Sequence, residues 1–163
     1  MPLRSRLFEV TDNRLINRVT MTHETFLCGK VLKWSLPVVQ GPPPTEAPNL
    51  KRLLLSQGEL AQFHDAEEGI RYIAYAELMV DGVRGNHYHE VKEEYVYILN
   101  GEALLIVQDV DSKEREQMQL ATGDLVFIST RIAHAFKPLK AGSAVEFSQA
   151  RFNPADVQRF KLI

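Results

Sequence analysis

The stretch Gly82–Gly101, GVRGNHYHEVKEEYVYILNG, decides how this chain is to be read. It holds His87 and His89, one residue apart, with an acidic run a few residues later. On a strand, residues two apart share a face, so both imidazoles point one way and Tyr88 the other. Asn100-Gly101 stands between two strand-like runs, Tyr95–Leu99 and Glu102–Val107. The dipeptide is a strong signal for a two-residue hairpin turn. Such a turn sets Leu99 opposite Glu102, Tyr97 opposite Leu104 and Glu94 opposite Val107. One face of the predicted hairpin carries Glu94, Val96, Ile98, Ala103, Leu105 and Val107. The other carries Tyr95, Tyr97, Leu99, Glu102, Leu104 and Ile106, whose polar tips suit a wet edge. The first face is therefore the predicted interior, and Glu94 is its one charged member. A buried carboxylate has to neutralise, pair or bind a cation. If His87 and His89 face the same interior, two imidazoles and Glu94 converge. If they do not, the pair lines an ordinary surface strand.

Outward from this stretch the chain reads as all-β. From Leu50 on, short apolar or alternating runs are broken by turn signals: Leu53–Leu55, Arg71–Val80, Met118–Leu120, Leu125–Ile128, Ala133–Phe136 and Ala144–Phe152. The runs are too short and too rich in Val, Ile and Tyr for helices, and their spacing predicts a sandwich or barrel. Only the end looks helical, where Asn153 is placed to cap a short turn with Pro154 at its first position. Five of the eight prolines fall in Leu36–Asn49, LPVVQGPPPTEAPN, which predicts an extended connector rather than a central strand. We therefore divide the chain into an N-terminal arm and Pro-rich connector, residues 1–49, and a barrel, residues 50–163. The arm holds two strand-like runs, Arg18–Met21 and Val31–Trp34, suited to pair with a sheet edge of this subunit or of a partner.

A formal net charge of −2 and the absence of a long basic block argue against nucleic acid or an anionic membrane surface as partner. No apolar run has the length of a signal peptide or a membrane span, so a cytoplasmic protein is expected. The single cysteine, Cys28, excludes an intrachain disulfide and reads as a small buried hydrophobe.

A second segment extends the pattern. Gly123-Asp124-Leu125-Val126-Phe127-Ile128 is a turn followed by an apolar strand, and His134 lies six residues beyond it. With Gly82, His87, His89, Glu94 and Gly101, this order and spacing resembles the two sequence motifs of the cupin superfamily. The resemblance implies a double-stranded β-helix, the jelly-roll cupin barrel, with an N-terminal arm. It also implies one divalent transition metal (Zn, Mn, Fe or Ni) held by His87, His89, Glu94 and His134, with positions open to substrate. Imidazole and carboxylate donors with open positions suit such ions. The chain departs from the motifs in places. Gly82 is one residue too close to His87, Ser129 replaces a proline, Arg131 replaces a glycine, and Pro138 stands where the motif has asparagine. A narrower resemblance lies in RGNHYH, Arg84–His89, after the strand IRYIAYAEL, and more loosely in the tail FNPADVQRF. These are similar to the cupin of capsular-polysaccharide reductases and to nucleotide-sugar 3,4-ketoisomerases. The latter generally work without a metal, whereas Glu94 argues that this chain keeps one.

The expected function is that of a metal-binding cupin acting on a small oxygenated metabolite, with sugar or nucleotide-sugar isomerase or epimerase chemistry by metal-assisted proton transfer. The alternatives are an Fe(II)-dependent dioxygenase and a non-catalytic sugar- or ligand-binding cupin. Arg84 and Arg131 flank the motif histidines and are candidates to fork onto a phosphate or carboxylate of the substrate. No catalytic base is assigned. His23 and His64 are available, and the tyrosines at 72, 75, 95 and 97 read as packing residues. A homodimer is expected through an apolar outer face of Tyr95, Tyr97, Leu99, Leu104 and Ile106.

Overall fold

The computed structural model describes residues 21, 23–43, 45 and 47–163. Of the strand-like run Arg18–Met21, all but Met21 lies outside them. Twelve strands follow in chain order: β1 (His23–Phe26), β2 (Val31–Ser35), β3 (Val38–Gln40), β4 (Lys51–Leu55), β5 (Gly58–Gln62), β6 (Tyr72–Leu78), β7 (Arg84–His89), β8 (Glu94–Asp109), β9 (Arg115–Ala121), β10 (Asp124–Ile128), β11 (Ile132–Ser148) and β12 (Val157–Arg159). Two single 3-10 turns, Leu27–Gly29 and Pro154–Asp156, are the only helical segments among the described residues. No described helix is long and apolar enough to cross a membrane.

Two long bent strands organise the jelly roll. β8 and β11, of 16 and 17 residues, pair antiparallel along most of their length. The first half of β8 continues through β10 and β2 to β1, and the second half of β11 takes β6 on its other side. Past the bend, the second half of β8 takes β9, and the first half of β11 takes β7, which β12 follows. The bent pair therefore belongs to two packed sheets. Residues from both line the core: Val31, Ile98, Leu105, Val107, Leu120, Val126, Ile128 and Ile132 are each at most 1% exposed. Each such side chain contributes roughly 1.5–3 kcal/mol relative to exposure.

The predicted hairpin at Asn100-Gly101 is not formed. The chain runs on through it as one strand, and Tyr97 lies opposite Val145 and Leu125 rather than Leu104. A type I′ turn needs positive φ at both central residues, and only Gly101 has it, at +92°. The dipeptide marks the bend of β8 instead. Asn100 lies opposite Ser143 and donates from Nδ2 to Ser143 Oγ at 3.0 Å. A Cβ on Gly142 would sit 2.0 Å from the Asn100 carbonyl oxygen, so the two backbones touch at this corner. The predicted inner face nevertheless holds: Glu94, Val96 and Ile98, then Ala103, Leu105 and Val107, are at most 6% exposed. A bend that shifts the alternation by one residue has the same effect on facing as a two-residue turn.

The outer face is not a wet edge. β3, parallel to β4, and β5 form a three-stranded flap. Leu36, Leu50, Ala61 and Phe63 from this region pack over Tyr97, Leu125 and Phe147. Phe63 stacks on Tyr97 with centroids 4.3 Å apart. On the other sheet, Leu162 from the chain end packs with Ile106. The apolar surface expected to join two subunits is thus largely covered by this chain itself. Several large exposed apolar side chains lie instead on and just after β6, notably Ile73, Tyr75 and Met79. Two further readings are refined. Cys28 is exposed, in the left-handed region at φ +55°, and is not a core residue. Asn153 does cap the last turn, its Oδ1 accepting from Ala155 N at 3.0 Å.

Candidate metal centre

β7 carries the His-x-His pair through a local distortion. Its register against β11 shifts between His134 and Ala135, so that His87 faces His134 and Gly85 faces Ala135. Such a bulge re-aims the side chains beside it. Gly85 has φ +93°, and a Cβ there would lie 2.5 Å from the His134 carbonyl oxygen. Asn86 follows at φ +55°. Gly85 is therefore required both by conformation and by close approach. Gly85→Ala should cost roughly 1–3 kcal/mol or more, lowering the melting temperature by roughly 2–12 °C. An unchanged melting curve would show that β7 does not approach β11 so closely.

The four side chains predicted as ligands come together beside a cavity that His87, Glu94 and His134 line and His89 does not. Single ligand atoms of His87, His89 and Glu94 lie within 4.8 Å of one another. His89 Nε2 is 3.1 Å from Glu94 Oε1, and His134 Nε2 is 2.9 Å from Glu94 Oε2. His89, Glu94 and His134 are almost fully buried, while His87 is half-buried at the cavity side. The cavity, of about 120 Å³, is walled by Leu78, Val96, Phe136 and Ala144 and reaches Arg84, His87, Glu94, His134 and Glu146.

The charges around it are unevenly placed. Burial, with His134 beside it, pushes His87 down to about 4, so its ring is neutral at neutral pH. Burial alone would lower His134, but Glu94 more than reverses this and raises it. Burial alone would raise Glu94, yet His134, His89 and Lys92 hold it well below the usual carboxylate range. Lys92 is 3% exposed and donates from Nζ to both Glu94 Oε1 and Glu146 Oε1 at 2.6 Å. Burial opposes its charge, but Glu94 and Glu146 outweigh that and raise its pKa. Its ammonium also lies 4.4 Å from the centre of the Tyr72 ring. Glu146 is shifted the other way, upward, by burial and by ionised Glu94.

The donors fit a divalent cation. His134 Nδ1 lies 3.0 Å from the Ile132 carbonyl, which only accepts, so Nδ1 carries the proton of a neutral ring. Nε2 is then bare and faces a carboxylate oxygen. His89 stands between two carboxylates, with Nε2 on Glu94 and Nδ1 at 3.3 Å from Asp156 Oδ2. The Nδ1 contact is close but makes no aligned hydrogen bond, leaving that buried atom without a partner. A neutral imidazole has one proton for two anions. Positive charge between Nε2 and Glu94 resolves both contacts, and three imidazoles with a carboxylate are the donor set of a transition metal.

The two arginines part company. Arg84 lines the cavity and donates from Nε to the Glu77 carbonyl at 2.6 Å. Arg131 does not line it. Its guanidinium is held outside by Glu90 and Asp111, at 2.7 and 2.5 Å. Its backbone keeps φ +59°, the conformation a glycine at this position would adopt freely. His23 is exposed, and His64 packs edge-on against Phe147, so neither reaches the cavity. Tyr72 packs on Phe152, Tyr95 on Phe147, and Tyr97 is buried, whereas Tyr75 is exposed. Sequence reasoning passed over Lys92, Glu146 and Asp156. Only Glu146 left a readable signal: it has the same parity as Ala144 and Ser148, both 1% exposed, and so is a carboxylate on the inner face of an apolar strand.

Bent paired strands around three histidines and a glutamate are the jelly-roll arrangement expected from the sequence. Residues 74–147 match the family model of the cupin domain. No curated protein sequence matches it significantly. Among solved structures, it is similar to a 3,4-ketoisomerase from Helicobacter canadensis, at 17% identity and TM-score 0.60, over 68% of this chain and 86% of the other. It is also similar to a TDP-quinovose 3,4-ketoisomerase from Campylobacter jejuni, at 18% identity and TM-score 0.60, over 68% and 88%. A dTDP-4-dehydrorhamnose 3,5-epimerase from Sulfolobus tokodaii aligns over 87% of this chain and 82% of its own, at 15% identity and TM-score 0.68. At these identities the likeness is one of fold.

Proposed function

We propose that this chain is a metal-dependent cupin that acts on a keto sugar, free or nucleotide-linked, either isomerising it by moving a proton between adjacent carbons or epimerising it by returning the proton to the opposite face of the same carbon. One observation carries the reading: two carboxylates meet at one cavity with their pKa values driven apart. Glu94 is held ionised among the histidines, and Glu146 is pushed up on the adjoining wall. Paired titratable groups separated in this way assign the ligand and the acid–base. The structural neighbours include 3,4-ketoisomerases and a 3,5-epimerase, enzymes of this class.

His87, His89, Glu94 and His134 would hold the metal, which when bound supplies Lewis-acid polarisation of a substrate carbonyl. Glu146 takes the proton from the hydroxyl-bearing carbon next to that carbonyl and, in the isomerisation, returns it to the former carbonyl carbon while the hydroxyl proton passes to the former carbonyl oxygen. Lys92 fixes the Glu146 carboxylate through its 2.6 Å hydrogen bond. Leu78, Val96 and Phe136 exclude water from the reacting carbons. Arg84 offers its remaining guanidinium donors to an anionic group. About 120 Å³ is well below the roughly 300–1,000 Å³ of pockets that enclose drug-sized ligands. Any nucleotide therefore stays outside the cavity, on the Arg84 side.

The test is solvent exchange. Protein purified without chelator is analysed for metal, then incubated in D2O with nucleotide-linked keto-hexoses. The expected result is metal at one equivalent and deuterium entering the carbon beside the carbonyl. Exchange in metal-free protein would remove the metal from the reading, and absence of exchange across the panel would remove the isomerase.

Metal uptake should also be proton-linked. Ligands must be deprotonated to bind. His87 is already neutral near neutral pH, whereas His134 has a raised pKa. Affinity for Zn2+ should therefore rise as pH increases through the His134 value, and binding at pH 6 should release a proton. Calorimetry in two buffers of different ionisation enthalpy measures that proton, and a heat independent of buffer would contradict it.

A further inference from the structure

We infer that Asp156, in the C-terminal turn, is the positioning carboxylate for His89, and that through it the chain's tail sets the ligand face of the metal centre. The inference rests on the metal reading above. Asp156 is 8% exposed and lies on the opposite side of the His89 ring from Glu94. Its Oδ1 accepts the backbone N–H groups of Glu90 and Val91, each at 3.0 Å. Its Oδ2 accepts that of Lys92 at 3.0 Å and stands 3.3 Å from His89 Nδ1. Three backbone N–H groups fix the position and orientation of this carboxylate. On this inference the His89 nitrogen facing it, which no aligned hydrogen bond otherwise occupies, carries the N–H, and Nε2, 3.1 Å from Glu94 Oε1, is the atom free for a metal. A ligating histidine characteristically gives its second N–H to a carboxylate in this way, fixing both tautomer and ring orientation.

The tail is built to keep Asp156 there. β12 pairs with β7 in the register Val157 to His89 and Arg159 to His87, directly beside the two ligand positions. Asn153 caps the turn that carries Asp156. Beyond β12, Asn86 Oδ1 accepts from Leu162 N at 2.8 Å and from Ile163 N at 3.2 Å. The Leu162 side chain packs against Ile106, Ala133 and Ala135.

The test uses the full chain and three readouts. Asp156→Asn keeps an acceptor for the Glu90–Val91 turn but turns an N–H2 toward His89 Nδ1, favouring the wrong tautomer. Zn2+ affinity, measured by competition with a chelator, should fall by about 10–100-fold. Long-range 1H–15N NMR of the metal-free protein, at a pH where the ring is neutral, should show His89 passing from the Nδ1–H to the Nε2–H form. Phe63→Ala, which removes the flap's stack on Tyr97 far from the tail, should lower the melting temperature and leave Zn2+ affinity unchanged. Parent-like affinity and tautomer in Asp156→Asn would overturn the inference. So would an equal loss of affinity in Phe63→Ala, since the loss in Asp156→Asn would then reflect general stability. If the parent takes up no Zn2+, the metal reading fails, and the His89 tautomer in parent and variant still decides whether Asp156 orients the ring.

Discussion

Glu146→Gln should lower turnover by about 100- to 10,000-fold while leaving the metal content of the protein unchanged. The carboxamide is nearly isosteric and still accepts from Lys92, but it cannot take a proton from carbon. The four proposed ligands are untouched, and Lys92 retains Glu94 at 2.6 Å. The loss should appear in kcat more than in KM, because the carboxylate acts at the transition state rather than in holding the substrate. Deuterium wash-in measured on the variant gives a second reading of the same step. If the variant exchanges protons at the parent rate, the base lies elsewhere. If it loses metal as well, Glu146 belongs to the ligand set and the division of labour between the two carboxylates is wrong.

Glu94→Ala should have the largest effect on stability. The substitution strips the shared anion from Lys92, His89 and His134, all of which are buried. Breaking a buried ion pair from one side costs about 3–5 kcal/mol, or roughly 6–20 °C in melting temperature for a chain of this size. The variant should also take up no metal. The pH dependence has a definite sign. Glu94 is depressed in the fold, so its contribution is fully present above its unfolded pKa, near 4.5, and fades as pH falls through the lower folded value. The gap between chelator-treated parent and variant should therefore narrow below about pH 4.5. A gap that widened on acidification would mean that Glu94 is protonated in the native protein.

The legibility of the site follows from the range of each interaction. Side-chain alternation is local, with a period of two, so His87 and His89 on one face and Glu94 with Val96 and Ile98 on another were readable from order alone. His134 was readable through the resemblance of its spacing to the cupin motifs. Glu146 was visible in the same way but went unused, since nothing within its own strand indicates that it shares a lysine with Glu94, 52 positions earlier in the chain. Lys92 sits in a turn where a lysine is ordinarily solvated, and it is covered only by distant segments, Tyr72 of β6 and Glu146 of β11 among them. Arg131 has the sequence position of a pocket residue, but Glu90 and Asp111 take its guanidinium first.

What could be read from the amino-acid order is the all-β class and the inward row of β8, and the cupin resemblance added the candidate ligands. Alternation, turn residues and motif spacing act over a few positions and survive errors about which strands meet. Three features needed the folded chain. These are the bend at Asn100-Gly101 in place of a hairpin, the flap that covers Tyr97 and Phe147, and the meeting of Lys92, Glu146 and Asp156 around the histidines. Each depends on contacts between segments tens of residues apart, whose free energy comes from packing the whole domain and leaves no periodic trace in any one strand.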